Sequence, residues 1–130
     1  MERLKQRLDN YNKALQNVRE TKNEYRKSPN KFMMMALVQA FEICFELSWK
    51  VQKDYLKYIG FDVAGPRDVI KQSFANGIIQ NGDLWLEMLE SRNLSTHLYD
   101  EEKMKEISDK IAESYLAEFE SLKTMVEGKL

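Results

Sequence analysis

Between Pro29 and Gly60 the sequence runs through "KFMMMALVQAFEICFELSWKVQKDYLKYI", a segment that as a helix is apolar around most of its circumference. Phe32, Ala36, Leu37, Ala40, Phe41, Cys44, Phe45, Leu47, Trp49 and Val51 leave only a narrow strip for water. Such a helix, about Lys31 to Ile59, has to be enclosed on nearly every side, which predicts the centre of an all-α bundle. Its polar positions are equally informative. At about 100° per residue, Gln39, Glu42, Glu46, Lys50, Lys53 and Lys57 fall within a stripe about 80° wide. That stripe is either a solvated face or the polar wall of a shared cleft.

The flanking segments supply the enclosure. Leu4, Leu8, Tyr11, Leu15, Val18 and Tyr25 recur at spacings of three, four or seven and predict a first helix over about Glu2 to Lys27. Pro29 ends it, because proline lacks an amide donor and keeps Ser28 extended. Gly60 closes the second helix as a C′ glycine, and Pro66 opens a short third helix, about Pro66 to Ala75, expected to bury Val69, Ile70 and Phe74. Asp83 is the expected N-cap of a fourth helix with Leu84, Trp85, Met88 and Leu89 on its apolar face. Asp100 is the expected N-cap of a fifth, with Met104, Ile107, Ile111, Tyr115, Phe119, Leu122 and Val126 inside. No segment alternates with the period of two that a half-buried strand requires. The expectation is one domain over residues 1–130, an antiparallel four- to five-helix bundle.

Composition removes several classes of function. The single cysteine, Cys44, excludes an intramolecular disulfide and reads as a small core hydrophobe within "ALVQAFEICFELSW". With one histidine and one cysteine, a zinc site of nitrogen and sulfur ligands is not available within one chain. No glycine-rich phosphate loop is present, and "GPRD" is a helix start. No metal or cofactor is therefore expected. The N-terminus "MERLKQRLDN" lacks the apolar core of a signal peptide, and no run approaches ~18 uncharged apolar residues, so the expectation is a cytoplasmic protein without a membrane partner. Charge is unevenly spread. Residues 1 to 31 carry nine Lys/Arg against four Asp/Glu, whereas residues 100 to 130 carry five against nine. Either the opposite-signed ends pair within the domain, or a basic edge is left for phosphates.

The polar end of the fourth helix, "SRNLSTHLYD" (91–100), holds the only histidine, His97, with Arg92 five residues before it and Tyr99 two after. A histidine can move a proton near neutrality, and an arginine can hold a phosphate through paired hydrogen bonds over the same pH range. Together they suit metal-independent cleavage of an RNA phosphodiester. Spacing sets a condition: in an unbroken helix Arg92 and His97 point about 140° apart, so the helix must unwind before His97 or a two-fold dimer must bring residues from two chains together.

The segments "FEICFELSWK" (41–50), "GPRDVIKQSFANGII" (65–79) and "LWLEMLESRNLSTHLYDE" (84–101), followed by a helical C-terminus, resemble in order the nucleotidyltransferase substrate-binding proteins of the HEPN superfamily. The resemblance implies a HEPN-like bundle that forms a homodimer. It also implies an Arg-x4-6-His motif acting as a metal-independent ribonuclease across the dimer, here Arg92 and His97, with Asn93 as the polar residue that often follows the arginine. In toxin members paired with a minimal nucleotidyltransferase the motif extends to His-x-Tyr, and the partner can transfer AMP to that tyrosine, which corresponds to Tyr99. The expected function is thus an RNA-cleaving toxin of a toxin-antitoxin pair. The family's older name carries the alternative, a non-catalytic substrate-binding or regulatory subunit of a two-component nucleotidyltransferase. A plain helical scaffold is the third reading.

Overall fold

The structure, a computed structural model, describes residues 1–95 and 100–130. Helices α1 (Glu2–Lys27), α2 (Lys31–Tyr58), α3 (Pro66–Ala75) and α4 (Gly82–Ser95) are followed by a long rod. The rod consists of α5 (Glu101–Lys110), a π turn (Ile111–Tyr115) and α6 (Leu116–Lys129). Counted as one element, it makes the fold an all-α five-helix bundle, with no strand among the described residues.

The central position expected for the second helix is observed: α2 packs against α1, α3, α4, α5, α6 and the π turn. By length and composition α2 is apolar enough to cross a membrane. Here its apolar face is enclosed by protein, with Leu37, Phe41, Cys44, Phe45, Val51 and Leu56 fully buried. The Cys44 thiol is pushed far above its ordinary range, chiefly by that burial, in keeping with a core role. Every apolar position assigned to the first and last helices is buried.

Two aromatic residues expected inside are not there. Phe32 is 70% exposed in the first turn of α2, its ring 5.7 Å from the Lys31 ammonium. Phe74 is 53% exposed because Ser73 takes the inward position beside Val69 and Ile70, leaving Phe74 to rim a groove between α3 and the start of α4.

The helix stops follow the chemistry of glycine. Gly60 has φ +104°, a conformation open to glycine without a Cβ penalty. It lets the Phe61 amide donate to Leu56 C=O at 2.8 Å and its own amide to Lys57 C=O at 3.1 Å, the paired bonds of a Schellman cap. Gly77 (φ +72°) repeats the arrangement after α3 and drives Ile78 into the core.

The charge asymmetry is partly resolved inside the domain. Arg19 grips Glu120 of α6 through two bonds, Nε to Oε1 at 2.6 Å and Nη2 to Oε2 at 2.9 Å. At the other end Asp109 accepts from Tyr25 Oη at 2.7 Å and from Lys105 Nζ at 2.8 Å. These bonds, from Lys105 first and Tyr25 second, hold the Asp109 carboxyl below its ordinary 3.8.

Phe41 is fully buried and touches the rings of Phe45, Tyr115 and Phe119. Phe41→Ala is expected to destabilise the fold by about 3–5 kcal/mol in urea unfolding, and Phe32→Ala by less than about 0.5 kcal/mol. A lowered native pKa means that Asp109 stabilises fully above the unfolded value and that this contribution is lost as pH falls below about 3.8. Asp109→Asn is therefore expected to flatten the acid limb of a stability-pH curve below about pH 4 while lowering stability at neutral pH.

Candidate functional site

The fourth helix carries its polar end to one edge of the bundle. Its cap is Asn81, not Asp83 as its position suggested: Asn81 Oδ1 accepts from the Leu84 amide and Asn81 C=O from the Trp85 amide, both at 3.1 Å. Asp83 falls in the first turn instead, where its charge meets the positive end of the helix dipole. Trp85, Met88 and Leu89 are buried, and Trp85 lies against Phe45 and Phe119 at centroid distances of 6.1 and 5.9 Å. Arg92 follows Trp85 by about two turns, so the packing of the indole fixes where the guanidinium emerges.

Arg92 Nε lies 2.7 Å from Glu46 Oε1 of α2, and the two side chains are 34% and 35% exposed. The other oxygen of Glu46 accepts from the Trp49 indole N–H at 3.2 Å. At this point the polar stripe of α2 is tied to α4 by an ion pair. Asn93 follows on α4 and is exposed. His97 and Tyr99 lie outside the described residues. Beyond them Asp100 is extended (φ −95°, ψ 117°), and its side chain accepts from the Glu102 amide at 2.9 Å, so it is the N-cap the sequence predicts.

Behind Arg92 is a polar cluster that periodicity does not reveal. The spacing places Tyr115 in the core, and its ring is there, stacked on Phe41 at 5.4 Å. Its hydroxyl, however, lies 2.8 Å from Ser91 Oγ and donates to Glu87 Oε2 at 2.9 Å. Burial is the main reason the phenol is pushed well above its ordinary range, so Tyr115 stays protonated and acts as a donor. The only local signal is that Glu87 and Ser91 share a face at i,i+4. Lys110 Nζ approaches Glu87 Oε1 at 3.6 Å across a groove of about 440 Å³ between α4 and α5, which Ser91, Leu94, Lys103 and Ile107 also line.

The arrangement provides a half-buried guanidinium, positioned by a carboxylate from the central helix, five residues before the histidine of the motif. Residues 6–128 match the family described as "Nucleotidyltransferase substrate binding protein like". The chain belongs to this family. Over 76 residues it is 28% identical to the "Probable ribonuclease HepT" of Haemophilus influenzae, a match that covers 55% of this chain and about half (52%) of that relative. A crystal structure of a protein from Thermus thermophilus shares the fold with a TM-score of 0.76 and 28% identity, over 92% of this chain and 97% of that one.

An ion pair with both side chains one-third exposed contributes at most about 1 kcal/mol. Glu46→Gln is accordingly expected to shift the urea midpoint only slightly and to change Trp49 emission. A loss of several kcal/mol would mean that the pair is a structural element of the bundle.

Proposed function

We propose that this protein is a metal-independent endoribonuclease, the toxin half of a toxin-antitoxin pair, acting as a homodimer in the cytoplasm. The observation that carries the reading is Arg92, held by Glu46 at the end of α4 within a chain of this family. The name of the Haemophilus influenzae relative supports it.

In this reading Arg92 binds the scissile phosphate and neutralises the charge that grows on its non-bridging oxygens, with Asn93 as an additional hydrogen-bonding group. His97 takes the proton of the 2′-hydroxyl or gives one to the departing 5′-oxygen. The 2′-oxygen attacks phosphorus, the bond to the 5′-oxygen breaks, and the products are a 2′,3′-cyclic phosphate and a free 5′-hydroxyl. No metal ion or cofactor has a role. Tyr99 is the control point: a partner minimal nucleotidyltransferase transfers AMP from ATP to its hydroxyl and releases pyrophosphate. The added phosphate competes with RNA for Arg92.

The family description favours a second reading, a non-catalytic subunit that binds a substrate for, or regulates, a separate nucleotidyltransferase. Cleavage separates the two. In EDTA the wild type is expected to cut RNA to cyclic-phosphate ends, and Arg92→Ala or His97→Ala to lower the rate at least ~100-fold. Equal rates for wild type and both variants would leave the subunit reading. Intact mass after incubation with the partner enzyme and ATP is expected to show one added AMP, absent in Tyr99→Phe.

A further inference from the structure

Two grooves of similar volume differ sharply in charge. The one between α4 and α5 is lined by Glu87, Glu90 and Glu106 against Lys103 and Lys110, a poor surface for a polyanion. The other, of about 450 Å³, lies between the start of α1 and the C-terminal half of α2, with the segment after α2 as its third side. Arg3 and Arg7 face Lys50, Lys53 and Lys57 across it, five cations against Asp54 and Asp62. Asp54 is already engaged, 3.1 Å from Arg7 Nε. Among the described residues Arg3, Lys50, Lys53 and Lys57 make no ion pair.

Like charges gathered without partners repel one another, and a bound anion relieves that repulsion. The shape of the gathering indicates which anion. Arg3 and Arg7 are one helical turn apart, and Lys50, Lys53 and Lys57 follow one face of α2 over about 10 Å. A row of about 6 Å opposed to one of about 10 Å suits a short run of phosphates rather than one. Trp49 and Phe61 line the same groove and offer ring surface for bases, the combination of cationic track and aromatic platform used by single-strand binders. Trp49 shares Glu46 with Arg92, so the track leads toward the motif along one face of α2.

We infer that the groove between α1 and α2 binds single-stranded RNA, holding its phosphates on Arg3, Arg7, Lys50, Lys53 and Lys57 and a base against Trp49. This deepens the ribonuclease reading, but it is tested by binding alone, so either can fail without the other.

The probe is a fluorescein-labelled, 2′-O-methylated oligouridylate 12-mer, which cannot be cleaved through its 2′-oxygen. Anisotropy titration is expected to show at least ~10-fold weaker binding for Lys53→Gln/Lys57→Gln, with the slope of log K against log salt shallower by about 1.4, the release of two single-strand phosphate contacts. Lys13→Gln/Lys22→Gln makes the same change in net charge outside the groove and is expected to bind like wild type. Trp49 emission is expected to be quenched by the probe, and the quench to be absent in Trp49→Phe. Circular dichroism checks that each variant is folded. Equal affinity for wild type and the Lys53/Lys57 variant overturns the inference, as does an equal loss in the Lys13/Lys22 variant. ATP binding as tightly as the 12-mer would overturn the strand reading, and so would RNA affinity unchanged while an acidic protein partner is lost.

Discussion

The stack of Phe41 on Tyr115 is the contact through which the parts of this bundle are referred to one another. Phe41 also meets Phe119 at 5.9 Å, Phe119 meets Trp85 of α4 at 5.9 Å and Tyr11 of α1 at 6.3 Å, and Trp85 returns to Phe45. Four elements are joined by one run of rings. Aromatic pairs of this kind contribute about 0.5–1.5 kcal/mol beyond their buried area, and their preferred geometries restrict how the helices can rotate. The hydroxyls at the rim extend the restriction, since Tyr11 donates to Phe119 C=O at 2.7 Å and Tyr115 to Glu87. Rotating α4 enough to move Arg92 would have to break both the indole packing and the Tyr115 cluster.

Most of the fold was legible because it depends on periodicity, which one sequence displays. The central helix, the glycine stops and the inward face of the last helix all followed from spacing. Even the π turn left a trace: Ile107, Ile111, Tyr115 and Phe119 are buried at successive spacings of four. In an uninterrupted α-helix twelve residues make about 3.3 turns, which would carry Phe119 away from the core; with one residue absorbed by the π turn, the remaining eleven make about three. Contacts between elements were not legible. Nothing local distinguishes Glu46 from Glu42, and its pairing with Arg92 depends on how α4 is rolled by Trp85. Phe74 misled for a similar reason, because a ten-residue helix offers too few repeats to separate an inward serine from an outward phenylalanine.

The surplus of positive charge in the first helix has two destinations. Arg19 is turned to the acidic end of the chain and grips Glu120, so part of the asymmetry is internal pairing. Arg3 and Arg7 lie too early in α1 to reach that end and instead face the lysines of α2. Internal pairing therefore accounts for Arg19, and also for Arg7 through Asp54, while Arg3 stays beside the lysines of α2 as a basic edge.

Glu46 joins the remaining features. In the proposed ribonuclease, a carboxylate beside the arginine that binds phosphate lowers its net charge, which is a disadvantage unless the pair exchanges easily. Burial decides the matter: breaking a fully buried pair costs about 3–5 kcal/mol, whereas one as exposed as Arg92 with Glu46 is held by at most about 1 kcal/mol. Under the proposed ribonuclease reading, such a pair is strong enough to orient the guanidinium in the free protein and weak enough to yield to a substrate phosphate. Besides Arg92, the Glu46 carboxylate has its bond from Trp49, and Lys50 lies one turn along α2. The polar stripe of α2 thus presents two features in sequence, a carboxylate that positions Arg92 and, beyond it, a row of lysines along one groove.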